Sequence, residues 1–445
     1  MFTKIKKFNL EKSEETLNQI LNHLFIIYIF SFPISSAHKS IFIVILFVFI
    51  IRGNYRKYFG YAFQNNVIRA LTVFALMHIL WMFVSDDYLY TKSIIRSSLY
   101  YLYPIVFITF MDYRYISRYL FAFFLSMLFS ELFSYGLFFE LIPSHWGFYN
   151  NPADPSPFYH HTHYGMALAF TLSIIFYDFF TQKEKPYIKI LLSIFFVTAS
   201  INLFINGGRT GYLMYLILLV GMGFWFLKTY SYKIFSLILP ILLLAFYLAY
   251  SYSPAFQKRL NNTESGISRL IEKSDYSSSI GSRVGAWKYS IPVIKEHLFF
   301  GVGTGNQLNE IKKYTIQHDP SYYKIFTGGD MVHLHNQYVS VLIQFGVIGL
   351  LIYFFLLYSL LKYKQENHLL KTIQVFLVLS VIFFGFIDIL TEASALALLL
   401  FTTLIPITLL RTSDYRLQTT YTINNKTVWV YFALAILFFL INKFT

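Results

Sequence analysis

Long apolar runs alternate with short polar connections along most of the chain, and this pattern predicts membrane-spanning helices. A helix that crosses a bilayer needs roughly 20 apolar residues. The predicted spans are residues 20–37, 38–52, 67–85, 94–111, 115–142, 164–180, 187–205, 211–227, 232–251, 337–361, 369–388, 393–411 and 428–444. We therefore expect an all-α polytopic membrane protein with about 12–13 transmembrane helices. The count depends on 38–52 and 428–444, which are short for a span.

Composition also points to a membrane. Of the 445 residues, 56% are hydrophobic and 13% are charged, which is too little polar surface for a soluble globule of this size. The net charge of +14 does not indicate nucleic acid, because Lys and Arg are dispersed in short loops. The chain has no cysteine, which excludes disulfides and thiolate chemistry. Its basic start leads into an amphipathic stretch, which predicts an anchor that is not cleaved.

The basic residues predict one orientation. With the N-terminus in the cytoplasm, the cytoplasmic loops carry most of them, including Arg52, Arg56, Lys57, Arg114, Arg118, Lys362, Lys364 and Arg411. The opposite short loops hold few, chiefly Lys39, Lys92, Arg96 and Arg209. Two longer segments, 143–163 and 252–334, are then external.

The external segment 252–334 divides the chain into three predicted parts. These are an N-terminal bundle (1–251), a loop subdomain (252–334) and C-terminal helices (335–445), joined in one membrane domain. An irregular loop of about 80 residues is uncommon, so we expect helices inside it. The motif AFQKRL and the stretch 282–297 have amphipathic patterns, and GVGTGN at 301–306 predicts a turn.

The motif NGGRTGY at 206–212 is a candidate anion site. Its glycines allow a sharp turn, after which Arg209 stands at the outer start of an inward helix. A helix N-terminus beside a guanidinium suits phosphate. The alternative is that Arg209 only extends to the membrane interface.

A second arginine, Arg283, precedes Trp287 by four residues. On a helix it would lie over the indole ring with its donors free. The alternative is a solvated loop arginine.

The stretch HLHNQYVSVLIQFGVIGLLIYF opens an apolar run with polar, ring-bearing residues. Residues two apart on a helix lie about 200° apart, so His333 and His335 cannot share a cleft if the helix has already begun. His335, beside Asn336 and near Tyr338, is the better candidate for a base, and a positive helix end would keep it neutral. Gly346 and Gly349 are interpreted as close-packing points within the span. The alternative is that these histidines only mark the membrane boundary.

His160, His161 and His163 form a further external cluster. Together with His333, Asn336 and Tyr338, they could line a substrate path. With His333 and His335 they could bind zinc, but no carboxylate has a recognisable ligand spacing, so we predict no metal. Asp154 and Glu392 are the other external carboxylates of interest.

Three motifs, GGRTGYL, SRVGAWKYSIPVIKEHLFFGVGTGN and the histidine stretch, occur in this order around the external loop. Together they resemble the O-antigen ligase and O-antigen polymerase superfamily over residues 200–360. Before residue 200, only the layout of many spans is similar. The family's arginine before the inward span falls on Arg209, its loop arginine on Arg283 and the histidine of its HN motif on His335.

The resemblance implies a multi-pass glycosyltransferase of the bacterial inner membrane, with a GT-C-like fold and its active site at the periplasmic face. Such enzymes need no metal, nucleotide or other cofactor. They transfer a glycan from undecaprenyl pyrophosphate, within membrane lipid, to the lipid A-core (ligases), to another lipid-linked repeat (polymerases) or to protein hydroxyls.

The residues suit that chemistry. Arg209 and Arg283 would hold the pyrophosphate while His335 takes the proton of the attacking hydroxyl, inverting the anomeric centre. The HNQY start and moderate loop size favour a ligase over a polymerase. A membrane transporter is the alternative from another class, but it would place polar groups near the bilayer midplane and often shows repeats, which are not evident here.

Overall fold

The structure, a computed structural model, describes residues 2–181, 185–229, 232–328, 333–393 and 395–411. Regular structure in these ranges is helical, without strands. The α-helices are α1 Phe2–Ser31, α2 His38–Arg52, α3 Tyr55–Ala62, α4 Asn66–Trp81, α5 Tyr88–Ser98, α6 Tyr103–Phe107, α7 Ile116–Phe138, α8 His161–Thr181, α9 Pro186–Ile205, α10 Arg209–Thr229, α11 Tyr232–Tyr252, α12 Pro254–Lys273, α13 Ser279–Glu296, α14 Gln307–His318, α15 Pro320–Gly328, α16 Gln337–Lys362, α17 His368–Ile387, α18 Leu390–Ala393 and α19 Ala395–Thr408.

The prediction of an all-α polytopic membrane protein is confirmed. Within the described ranges, six helices are long and apolar enough to cross a membrane, and a seventh span arises if the bent pair of α2 and α3 is counted as one. Of the other predicted spans, 94–111 is divided between α5, a 3-10 turn and α6, and 393–411 corresponds to the shorter apolar helix α19. The run 428–444 lies outside the described residues, so the total of 12–13 stays a prediction.

Polar groups collect at two opposite ends of the bundle. At the end where α7 begins, a crevice is lined by Lys57, Arg114 and Arg411, and an adjoining one by Lys362 and Lys364. All five come from loops predicted to be cytoplasmic. The other end of α7 leads into the loop 139–160, which borders the largest polar cavity at that end. The separation agrees with the charge pattern.

Helix α16 is not the continuous span that its hydrophobicity predicts. Its backbone breaks at Gly346, which has φ +65° and ψ −164°. The rings of Tyr338 and Phe354 lie 6.0 Å apart, although a straight helix would separate these positions by about 24 Å along its axis. The two limbs, 337–345 and 347–362, therefore fold back on each other. Gly346 is a close-packing point, as interpreted, since a Cβ there would lie 2.2 Å from the Phe299 carbonyl oxygen, but it packs at a bend and not within a continuous helix.

The fold-back sets the depth of the segment that carries the histidines. Phe345 lies 4.7 Å from the ring of His78 near the end of α4, and Tyr353 lies 5.4 Å from Phe74, one turn earlier in α4. Tyr338 is 5.8 Å from Tyr353. The start of α16 therefore lies beside Tyr353. In a regular second limb, Tyr353 is roughly 10 Å from the bend along the helix axis.

The glycine-rich turn at 301–306 braces this bend. The N–H groups of Val302 and Gly303 donate to the carbonyls of Ile343 and Gln344, and Val347 donates to Leu298. Gly301 has φ +67°, and a Cβ there would lie 2.3 Å from the carbonyl carbon of Gln344. Only glycine fits this approach. The predicted turn exists, and its role is to hold the α16 bend.

The external segment forms a small layer of four helices, α12 to α15, with an apolar core of its own. That core contains Tyr289, Ile311, Tyr322 and Phe326 and reaches Ile343 of α16. The helix predicted at the AFQKRL motif extends well beyond the motif, because α12 continues to Lys273.

Candidate active site

A cavity of about 790 Å³ at the external-loop end collects most of the residues chosen from sequence. It is lined by Arg209, Arg283, His335, His333, His160, His161 and His163. Helices α8, α10, α12 and α13 and the segment before α16 all contribute to its wall. The three motifs, distant in sequence, therefore share one cleft.

Asn336 and Tyr338, which were selected from sequence, form hydrogen bonds within the protein beside the cavity. Asn336 is the N-cap of α16, and its Oδ1 accepts the N–H groups of Tyr338 and Val339. The Tyr338 hydroxyl donates to the Ile382 carbonyl at 2.9 Å. Neither side chain lines the cavity.

Arg209 is held in place by neutral partners. It begins α10 directly after Gly208, where a Cβ would lie 2.7 Å from the His161 carbonyl oxygen. Its Nη1 donates to Thr263 Oγ1 at 2.9 Å and its Nη2 to Ser279 Oγ at 3.0 Å. Because hydroxyls orient the guanidinium without neutralising it, its charge remains available to an anion.

Arg283 reaches the same cavity from α13. Burial lowers its pKa from the usual value, and the Asp388 carboxylate opposes that shift. The expected contact with Trp287 is wrong: no cation–π pair joins the two among the described side chains, and the indole Nε1 donates to the Leu334 carbonyl at 2.8 Å. Trp287 therefore fixes the backbone between His333 and His335.

Arg259 is a third cavity arginine, which the sequence did not single out. Its Nη2 lies 3.6 Å from Asp154 Oδ2. The same carboxylate accepts His161 Nδ1 at 2.8 Å and the Gly207 N–H at 3.2 Å. Asp154 thus ties the loop before α8, α12 and the turn before Arg209 together. Asp154 is one of the two external carboxylates selected from sequence. The side chain of the other, Glu392, lies outside the described part of the structure.

Both histidines of the opening stretch meet one carboxylate. His333 Nε2 donates to Asp388 Oδ1 at 2.9 Å, and His335 Nδ1 lies 3.3 Å from the same oxygen without forming a hydrogen bond. Their ring centroids are 4.0 Å apart. They share the cleft because α16 begins only at Gln337, so the helical spacing that would separate them does not apply.

His335 also has an uncommon backbone conformation, with φ +49°. This left-handed region costs a non-glycine residue free energy, and such residues concentrate at functional sites. Asp388 follows α17 directly and is buried. Sequence spacing could not reveal it, because 55 positions separate it from His333.

The cavity keeps Asp388 charged and His335 and His160 neutral. Burial raises the pKa of Asp388, but the hydrogen bond from His333 and the nearby His335 outweigh it and lower the pKa well below the usual value. Burial lowers the pKa of His335 to about 4 and that of His160 to about 4. A neutral His335 can accept a proton at pH 7.

The ligand atoms of His333, His335 and Asp388 lie within 4.8 Å of one another, so these groups could also surround a metal ion. The carboxylate that sequence spacing failed to supply is present. However, one ligand atom of His333 is already hydrogen-bonded to Asp388. Metal independence stays a prediction.

Comparison with known proteins supports the resemblance. Residues 194–354 match a family model described as O-Antigen ligase, and this range includes Arg209, Arg283 and His335. Over that range the chain is similar to the family described as O-Antigen ligase. An uncharacterized protein of Haemophilus influenzae is 25% identical over 209 residues, which are 45% of this chain and 50% of that protein. The chain thus matches about half the length of this curated relative.

Proposed function

We propose that this protein, related to O-antigen ligases over residues 194–354, transfers a glycan from undecaprenyl pyrophosphate to a sugar hydroxyl of lipid A-core at the periplasmic face of the bacterial inner membrane. The observation that carries the proposal is the meeting of Arg209, Arg283 and His335 in one cavity. A site for this reaction needs a pyrophosphate clamp beside a base.

The charge of the cavity suits a pyrophosphate. Among the residues that the structure describes, three arginines line it against one carboxylate, that of Asp388, which is engaged by His333. Burial lowers the pKa of Arg209, and the nearby charges of Arg283 and Arg259 lower it further. Bringing two unneutralised guanidinium groups together is unfavourable unless an anion binds between them.

The proposed reaction is a single displacement. His335 removes the proton from the acceptor hydroxyl as its oxygen forms a bond to the anomeric carbon. The bond from that carbon to the phosphate oxygen breaks, and its electron pair leaves on undecaprenyl pyrophosphate. Arg209 and Arg283 stabilise this developing charge through bidentate hydrogen bonds. Attack from the opposite face inverts the anomeric centre.

An apolar groove beside the cavity supports a lipid-linked donor. It has a volume of about 560 Å³ and lies between the second limb of α16 and α17. Its walls are almost wholly apolar, and Phe354, Tyr358 and Phe386 are exposed there. The groove begins at Tyr338 and Phe386, three and two positions from His335 and Asp388. An isoprenoid chain in this groove would place its pyrophosphate near the arginines.

The test is complementation of a deletion strain, with lipopolysaccharide examined on a gel. The wild-type gene should restore long O-antigen. His335→Ala should lower transfer by about 10² to 10⁴, because a positioned base contributes that much. Arg283→Lys should lower it at least tenfold, since Lys lacks the planar fork. Each variant must first be detected in the membrane at the wild-type level.

The gel also discriminates between activities. A ligase deletion leaves unmodified core and accumulated lipid-linked polymer, whereas a polymerase deletion leaves core carrying a single repeat. The second pattern would replace the ligase assignment by a polymerase. Full activity of His335→Ala would remove His335 as the base, and retention of anomeric configuration would contradict single displacement.

A further inference from the structure

We infer that Phe148 forms a sugar-binding subsite at the edge of the cavity, where its ring stacks against one pyranose ring of a substrate. This inference rests on the proposed glycan transfer and specifies part of its substrate site. Phe148 belongs to the loop between α7 and α8, lines the cavity and is 49% exposed. It had no assigned role from sequence.

The ring is exposed and yet fixed. Tyr149 meets it edge-on at 4.9 Å and 79°, and His160 does so at 5.9 Å and 76°. The Phe148 N–H donates to the Ser156 carbonyl at 2.9 Å. A large apolar side chain held open in this way loses little conformational entropy when a ligand covers it.

The loop itself is anchored to the bundle. Ser156 Oγ donates to Asn206 Oδ1 at 3.0 Å, and Ser134 of α7 donates to the Pro155 carbonyl at 2.7 Å. Asn206 immediately precedes the glycine turn before Arg209. The position of Phe148 is therefore coupled by buried hydrogen bonds to the proposed pyrophosphate clamp.

The neighbours of Phe148 favour a sugar over a lipid chain. His160 stands beside it, and the ring of His161 lies 4.3 Å from that of His160. In the tautomer whose Nδ1 donates to Asp154, His161 leaves Nε2 as an acceptor. A pyranose has an apolar C–H face for an aromatic ring and hydroxyls at its edge for such acceptors. An isoprenoid chain has no hydroxyls, and the apolar groove at Tyr338 suits it better.

The test uses the detergent-purified full chain, an undecaprenyl-pyrophosphate-linked glycan as donor and O-antigen-free lipid A-core as acceptor. Phe148→Ala should raise the KM for one substrate about tenfold while kcat stays within about twofold, a loss in the range of one aromatic contact. Phe148→Tyr should keep the wild-type KM. An increase in the KM for the acceptor would place the acceptor sugar on Phe148. An increase in the KM for the donor would place the donor sugar there.

Phe139→Ala is the matched control. Phe139 is in the same connection and 62% exposed, but it packs on Tyr135 and Phe138 and does not line the cavity. Its variant should leave both KM values unchanged. Unchanged KM values in Phe148→Ala would overturn the inference, as would equal losses in Phe148→Tyr and Phe148→Ala.

A binding measurement separates this inference from the proposed function. Calorimetry with O-antigen-free core oligosaccharide and with the sugar portion of the donor reports the subsite without any reaction. If the wild-type protein binds one of these sugars and Phe148→Ala binds it about tenfold more weakly, the subsite stands even where no transfer occurs. Geranyl pyrophosphate should bind both proteins equally, because its pyrophosphate contacts only the arginines.

Discussion

At the scale of single residues, the cavity is organised by two carboxylates that each hold histidines. Asp388 meets His333 and His335, and Asp154 holds His161. A carboxylate on one ring nitrogen sets which nitrogen remains free to act. Both pairs border the arginines, so the proposed base and the proposed pyrophosphate-binding arginines lie in one polar space.

The pKa of His335 predicts how transfer depends on pH. Burial lowers this pKa to about 4 in the free protein, so the base is already deprotonated at neutral pH. The parameter kcat/KM reports the free protein, and we therefore expect it to be flat from pH 8 to pH 6 and to fall only towards pH 4. Bound pyrophosphate favours the imidazolium, so the acid limb of kcat should lie at higher pH than that of kcat/KM.

Steady-state kinetics across this pH range check the prediction. His335→Ala provides the control, since its residual rate should show no such limb. A fall of kcat/KM centred between pH 6 and pH 7 would mean that the base has an ordinary histidine pKa, and would contradict a buried His335 as the group that titrates.

At the scale of elements, the broken helix α16 determines the position of His335, the proposed base. Its first limb runs from the site to the bend, and its second limb runs back beside α4. The turn at 301–306 fixes the bend. That turn connects α13 to α14 in the external layer. The external layer and the segment that carries His335 are therefore linked through the bend.

Gly346→Ala should therefore disrupt both stability and transfer. Alanine at φ +65° and ψ −164°, a conformation that almost only glycine adopts, costs on the order of 1–3 kcal/mol. Its Cβ would also lie 2.2 Å from the Phe299 carbonyl oxygen. We expect a lower melting temperature in detergent and a loss of transfer, because the segment that carries His335 must shift.

Gly221→Ala is the control for this change. Gly221 lies within α10, and an added Cβ would approach nothing closer than Leu379 Cδ1 at 3.6 Å. Thermal unfolding of both purified variants measures the effect. A Gly346→Ala protein as stable and active as the Gly221→Ala protein would show that the bend is not required.

At the scale of the whole molecule, charge is segregated between the two ends. The crevices with Lys57, Arg114 and Lys362 lie at one end of α7, and the cavity with the histidines lies beyond the other. A donor with a membrane-embedded tail and a polar head requires its reactive site at an interface, which is where this cavity would lie if α7 spans the bilayer.

The orientation can be tested directly, because the chain contains no cysteine. We expect Ser277→Cys, in the external layer, to react with a membrane-impermeant maleimide in intact spheroplasts. Lys364→Cys, between α16 and α17, should react only after permeabilisation. Both positions are exposed, so accessibility does not bias the comparison. The reverse pattern would place the cavity on the cytoplasmic side.

The helical membrane fold, the selection of Arg209, Arg283 and His335 as candidates, and the separation of charge between the ends could all be predicted from the amino-acid sequence. These properties are local, since hydrophobic length, glycine turns and Lys/Arg bias are written within single segments. Tertiary structure alone decided that Asp388 meets His333 and His335, that Arg259 and Phe148 border the same cavity, and that α16 folds back at Gly346. These depend on contacts between segments far apart in the chain, which periodicity does not encode.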